Sequence, residues 1–394
     1  MAYLLTATAP IYVANTPITH LMSIEPSRLL RRQRAKAALA NLFIGDSLSM
    51  PVHWFYNVGD ILRVFGNQGI TGLEAAPAVH PSSIMSLHST SAGGRARLQR
   101  TNDQEIVGDV ILKGRRHLWG QSNIHYHHGM QAGDNTLNAW CARLLINHLE
   151  TQPDYRPDEW IDDYIRFMTA DPPEYPDTYA ESCHRGFFAN WVVGKAPLKC
   201  GAVTHDTPSM GALVTVAPLA LALLGSGESV DSTSTICREH VWLTHPDEGL
   251  LYVVDAYVQL IDKLLNAEDT PCGAEVFTAA ASVISGTGLD KLIAEGRDDA
   301  YVVGRTYSLA CYITDSWPSV CFLAGKYHTD PVKALLRNTN LGGENAHRGS
   351  VLGTLVGLAS ASYPTNWFSE LTLHPKLVNE LESYLNKFFP LGKV

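Results

Sequence analysis

The stretch from Asn340 to Gly357 constrains this chain more than any other. A double glycine, Gly342 and Gly343, breaks the backbone just before Glu344, Asn345, His347 and Arg348 enter what reads as the first turn of a helix. Behind them Gly349, Gly353 and Gly357 recur every fourth residue, which places all three on one helix face. A face without side chains lets another helix come close. The polar mouth ahead of it is therefore expected at the centre of a packed bundle, where chemistry is plausible.

The helical period dominates elsewhere too. Ser27 can cap a helix running to Leu48, with Leu29, Leu30, Ala38, Leu39 and Leu42 as its apolar stripe. A second helix is predicted to open at Asp134, and a third at Asp158 or Asp162. Others are predicted over 211–224, 247–265, 273–284, 306–324, 331–338, 345–360 and 374–388. Alternating strands with hairpin turns are scarce, so the predicted class is all-α, a compact orthogonal multi-helix bundle. Residues 1–24 carry no Asp, Glu, Lys or Arg, and 1–26 reads as an N-terminal extension to a single domain over 27–394. The polar, glycine-rich region from about Pro81 to Arg100 reads as a long loop over a site.

Composition excludes several function classes. A net charge of −9 and a pI near 5.9 give no general field for nucleic acid or anionic lipid. The local basic run Arg28, Arg31, Arg32, Arg34, Lys36 reads as a solvated helix face. No apolar run is long enough to span a membrane. Seven scattered cysteines without a CxxC pair argue against both a disulfide framework and a zinc knuckle, and fit a reducing, cytoplasmic setting. No Gly-x-Ser-x-Gly elbow or phosphate-binding loop is present, and neither Cys183 nor Cys200 has an evident basic partner.

Six short motifs occur in one order: Gly45-Asp46; Gly133 to Thr136; Ser209 to Pro218; Leu243 to Pro246; Asp315 to Pro318; and Asn340 to Gly343. Each alone is weak, but together, from roughly Arg34 to Ala361, they resemble the ADP-ribosylglycohydrolase family, with its jellyfish J1-crystallin relatives. The resemblance implies a cleft holding two magnesium ions and an ADP-ribose moiety. In that family the metals are met by a Glu seven residues after the Gly-Asp aspartate, a Thr-Asp-Asp run and an Asp-Thr-Asp-Thr run. Here His53 stands at the first place, Gly133, Asp134 and Asn135 at the second, and Glu344, Asn345, Ala346 and His347 at the third.

Magnesium requires hard oxygen ligands in near-octahedral geometry, whereas imidazole suits softer ions. With only Asp134 and Glu344 left as mapped carboxylates, a binuclear magnesium centre is not expected. A single softer metal on His53, His347, Asp134 and Glu344 is an alternative to a metal-free polar site, which is the more economical reading. In that reading the helix starts at Asp134 and Glu344 offer N–H groups to an anion. His53 or His347 serves as acid or base, and Asp134 or Glu344 orients water or stabilises positive charge at an anomeric carbon. Asp134 reads equally well as a plain N-cap, and His53 beside Trp54 as a core histidine.

The expected substrate-binding residues are Asp46, His88, Arg95, His128, Asn135, Ser209, Asn345 and Arg348. His88 and Arg95 lie in the polar run of the predicted lid loop, and His128 in the cluster His125, His127, His128 that precedes the Asp134 helix. Glu181, His184 and Arg185, at helical spacing before Phe187 and Phe188, read as a surface ion pair over a buried aromatic pair. Three functions follow. The chain is a glycosidase on a ribosylated or nucleoside-like small molecule with the magnesium site lost or remade, a site adapted to another small metabolite, or a non-catalytic binding or crystallin-like protein. The retained polar mouth favours a remade site.

Overall fold

The computed structural model describes residues 19–83, 85, 105–152, 154–204, 206–267, 273–284 and 288–391, without the side chains of 19–26. His88 and Arg95, with most of the predicted lid loop, lie outside the described residues. Among those described the chain is all-α, and only isolated bridges such as Ser209 with Tyr312 replace a sheet.

Two long helices form the axis. α1 spans Thr19–Ser49 and so begins eight residues before Ser27, inside the expected extension. α14 spans Asn345–Ser360, and every residue from Asn345 to Leu358 is buried. A helix enclosed on all sides cannot rely on one apolar stripe, and the glycine face supplies the close approach instead. A methyl placed on Gly349 would stand 2.5 Å from the Gly45 carbonyl oxygen, and one on Gly357 would stand 2.5 Å from that of Ala37. The two backbones touch, and no larger residue fits between them.

The other helices wrap this pair. α2 (Val58–Phe65) follows α1 after a short turn, and α3 (Leu137–Thr151) and α4 (Pro157–Met168) pack on one another. α5 (Ser182–Val192), α6 (Val216–Gly225), α7 (Val230–Trp242) and α8 (Glu248–Leu265) continue the shell. Short helices α9 (Ala274–Ala281), α10 (Leu289–Ala294) and α11 (Asp299–Val302) lead to α12 (Ile313–Tyr327), which packs on α9 and α14. α13 (Pro331–Leu341) precedes α14, while α15 (Thr365–Glu370) and α16 (His374–Phe388) close the chain.

Two sequence expectations are corrected. The second helix opens at Leu137, not Asp134, because Thr136 is the N-cap and Asp134 closes a turn in which its Oδ2 accepts the Gln131 N–H at 2.8 Å. Glu181, His184 and Arg185 form no surface ion pair, since α5 is buried from Ser182 to Asn190 and Glu181 is buried beside it. Spacing alone could not show that α5 is enclosed on every side.

Candidate active site

α1 ends in a tight turn over Met50–Val52, after which His53 is extended and Trp54 takes φ 61°. Positive φ is uncommon outside glycine, and for a bulky aromatic it needs compensation from its surroundings. Trp54 N–H donates to the Gly343 carbonyl at 2.7 Å, and Gly343 N–H donates to that of Phe55 at 2.7 Å. Gly342 and Gly343, at φ 70° and 66°, permit this pairing, because a methyl on either would strike the backbone of Phe55 or Leu309. The double glycine thus ties the end of α1 to the start of α14.

That tie brings His53 and Glu344 together. His53 Nε2 lies 3.5 Å from Glu344 Oε1, and His347, one turn into α14, sets Nδ1 directly against the same oxygen. Trp54 Nε1 donates to Glu344 Oε2 at 2.5 Å, and the indole stacks on His53 with centroids 3.7 Å apart. On the far side His53 Nδ1 meets His127 Nε2 at 2.8 Å, and His127 Nδ1 meets Asp177 Oδ1 at 2.8 Å. Glu181 Oε1 stands 3.8 Å from His347 Nδ1, and its Oε2 accepts from Asn138 at 2.7 Å. All six of these titratable side chains are buried.

Burial and mutual charge set their protonation. Burial pushes His53 down to about 3, against the pull of Glu344. Burial also opposes charge on His347, but Glu181 and Glu344 outweigh it and raise the imidazole to about 10. Desolvation likewise disfavours the Glu344 anion, yet His347 and His53 hold its carboxyl well below the usual range. At Asp177 burial is overcome by His127 and by the N–H groups of Leu137 and Tyr179, so its pKa is lowered. Burial lifts Glu181 to about 7, over the opposing effect of His347 and with the help of Glu344 and Asp206. A carboxyl tuned to neutrality is suited to move protons.

Glu181 joins two spaces. A small chamber of about 10 Å³, room for about one water, has His53, His127, Asp177 and His347 on its walls, and a larger cleft of about 160 Å³ is lined by Tyr56, Tyr126, Asp206, Cys311 and Tyr312. Trp54, Tyr179 and Glu181 line both. Trp54, Tyr126 and Tyr179 meet edge to face, with centroids 4.5–5.1 Å apart, and form a rigid aromatic wall. The Arg185 guanidinium lies over Trp119 and Tyr179 at 5.0 and 5.7 Å, bracing that wall from behind.

Of the expected site residues, His53, Glu344 and His347 converge here. The others face inward or elsewhere. Asp46 accepts from Thr136 N–H, Thr136 Oγ1 and Asn135 Nδ2, so both are engaged in joining α1 to α3. Asn345 bonds the Thr339 carbonyl. Arg348 donates to Asn338 Oδ1 at 2.6 Å and to the Gly342 carbonyl at 2.8 Å, which locks the double-glycine turn rather than facing the cleft. Ser209 is buried beside Tyr312, and His128 yields its place on the chamber wall to His127. The anion site expected at the second helix start is filled by the protein itself, since Asp46 and Asp177 accept the N–H groups of Thr136 and Leu137 at 2.8 and 2.7 Å. Asp177, Glu181, Asp206 and His127 are the groups sequence reasoning did not assign to the site.

The fold agrees with the family comparison. The ADP-ribosylglycohydrolase family model matches residues 27–392, and the chain belongs to that family, whose members are generally hydrolases. A solved structure described as an "ADP-ribosylglycohydrolase-related protein complex" is similar in fold, with TM-score 0.53 and 17% identity, over 91% of this chain and 98% of that chain. No protein of curated function matches the chain in sequence. Among the described residues no helix is long and apolar enough to cross a membrane.

Proposed function

We propose that this protein cleaves an N- or O-glycosidic bond of a ribosylated or nucleoside-like small molecule in the Trp54–Tyr179–Glu181 cleft, without the magnesium pair implied by its family. The observation that carries the reading is Glu181: a buried carboxyl raised to about 7 at the foot of an aromatic wall, with Asp206 on the same lining. Planar rings of a base stack against such a wall. Glu181 delivers its proton to the departing nitrogen or oxygen, and the Asp206 carboxylate steadies the positive charge that grows at the anomeric carbon. His347 and Glu344, an ion pair beneath Glu181, position it.

A magnesium pair does not suit this donor set. At the positions mapped from the family, His53 and His347 replace hard oxygen ligands and Glu344 alone is an inward carboxylate, while Asp46 and Asp134 are engaged with Thr136 and Gln131. The test is hydrolysis of ADP-ribosyl-arginine, ADP-ribosyl-serine and simple nucleosides, with and without added magnesium. Turnover that persists without magnesium and falls roughly 10²–10⁴-fold in Glu181→Gln supports the reading. Strict magnesium dependence, or an unimpaired Glu181→Gln, overturns it.

A further inference from the structure

The buried histidine chain has a proton order that leaves two bare acceptors facing each other beside the Nδ1 proton of His347. Asp177 is acceptor-only: besides His127 it takes the N–H groups of Leu137 at 2.7 Å and Tyr179 at 3.1 Å. His127 must therefore carry its proton on Nδ1, and a neutral His127 presents a bare Nε2. His53 Nδ1, 2.8 Å away, then donates to it. The remaining nitrogen of His53, Nε2, is left bare, and it faces Glu344 Oε1, another acceptor, at 3.5 Å.

His347 Nδ1 completes the cluster. One atom from each of His53, Glu344 and His347 lies within 4.8 Å of the others. His53 Nε2, Glu344 Oε1 and His347 Nδ1 are all buried, and none makes a well-angled hydrogen bond although the last two are in contact. Such groups are rarely left without a partner in a protein interior. The surrounding groups are those that orient metal ligands: His53 is held through His127 by a carboxylate, and the second oxygen of Glu344 by the Trp54 indole.

We propose that His53 Nε2, Glu344 Oε1 and His347 Nδ1 bind one divalent transition-metal ion of the zinc class, with its open position toward the small chamber that Glu181 lines. Two imidazoles and one carboxylate form a ligand set for such ions and a poor one for magnesium or calcium. The ion takes the place of the Nδ1 proton of His347. Its chemistry is to acidify a bound water. That water loses a proton to the Glu181 carboxylate, and the resulting hydroxide forms the new C–O bond at the anomeric carbon. The glycosidic bond breaks, and its electron pair takes the proton back from Glu181, so no oxidant or further reactant is needed. This step rests on the glycosidase reading, but the site itself does not and is tested without substrate.

The experiment uses the full chain after EDTA treatment, titrated calorimetrically with zinc sulfate and separately with magnesium chloride. Cobalt substitution is followed by visible absorption. One zinc per chain, no magnesium binding, and a cobalt spectrum of mixed nitrogen and oxygen ligation are expected. His53→Ala and His347→Ala should each weaken zinc binding by at least about 100-fold, and His127→Phe, which removes only the outer support, by roughly 10–100-fold. Circular dichroism checks that each variant folds; if an alanine variant does not, the wild-type cobalt spectrum and Glu344→Gln decide. No zinc binding, binding indifferent to these substitutions, or two bound magnesium ions would overturn the proposal. Zinc binding without glycoside hydrolysis would leave the site standing and remove the proposed reaction.

Discussion

Gly353→Ala tests the claim that α1 and α14 are held backbone to backbone. The added methyl would meet the Asn41 carbonyl carbon at 2.6 Å and its Cβ at 3.2 Å, and the neighbours on that face are likewise backbone atoms that cannot rotate away. Relief requires the helices to separate by about 1 Å, a gap that forfeits a quarter to a half of the dispersion energy of the atoms lining it. Overpacking of this kind costs about 1–3 kcal/mol, and more where backbone is struck. Against it stands the helix preference of Ala over Gly, about 1 kcal/mol. Because backbone is struck we take the upper end, a net loss of about 2 kcal/mol in urea unfolding, with a fall of a few degrees in Tm. Separation would also draw His53, carried by α1, away from Glu344 and His347, so turnover should drop in the folded variant. Gly72→Ala is the control: its nearest new contact is Trp367 Nε1 at 3.8 Å, and stability should change by less than about 0.5 kcal/mol. Equal or greater stability for Gly353→Ala would mean that helix preference wins and that the close approach does not hold the pair.

Three further substitutions or conditions probe the site and its surroundings. Burial depresses His184 and His240 to about 3 and His245 to about 4, so the folded state keeps them neutral while the unfolded chain protonates near 6.5. Their stabilising effect is complete above that value and is lost as pH falls toward 4, about 4 kcal/mol for the three together between pH 7.5 and 5.5; replacing one of them by Gln should remove about 1.4 kcal/mol of the stability difference between those two pH values in chemical unfolding, and an unchanged difference would refute the neutral assignment. Arg348→Met leaves Asn338 Oδ1 and the Gly342 carbonyl without their donor and should cost about 2–5 kcal/mol, while turnover per folded molecule changes far less than in Glu181→Gln. Asp134→Ala removes one turn hydrogen bond, about 1 kcal/mol, and should leave turnover intact; a large loss of activity would restore Asp134 to the site.

Much of this arrangement was legible before any coordinates. The four-residue glycine spacing identified the helix that α1 packs against, and the double glycine marked the turn that delivers Glu344 and His347. His53 was found by register with the family motif. What the sequence did not reveal was direction. Arg348 and Asn345 sit in the same first turn as His347, yet their side chains close hydrogen bonds to Asn338, Gly342 and Thr339 behind the mouth. In the loop before α3 no periodicity says which histidine points inward, so His127 and His128 could not be told apart. Glu181 was hidden for a different reason: its i and i+4 spacing with Arg185 imitates a surface pair, and only the enclosure of α5 turns it into a buried acid.

The distribution of carboxylates around the helix starts bears on how a substrate must enter. Asp46 and Asp177 occupy the first N–H groups of α3, while Glu181 and Glu344 are the N-cap residues of α5 and α14. The positive end of each helix dipole favours the nearby anion, which helps explain how acidic groups can be buried so close together. It also means that those ends are not available to a phosphate, the role expected for two of them from sequence. A phosphate approaching the chamber would meet Glu344 and Asp177 in a desolvated space, where like charges repel far more strongly than in water. The reacting end of the substrate must therefore be uncharged or cationic where it meets Glu181. Any phosphate it carries has to lie farther out in the cleft, near Tyr56 and Tyr312, where solvent can screen it. An oxocarbenium centre fits that field, because positive charge developing beside Glu181 and Asp206 is stabilised by the same carboxylates that would exclude an anion.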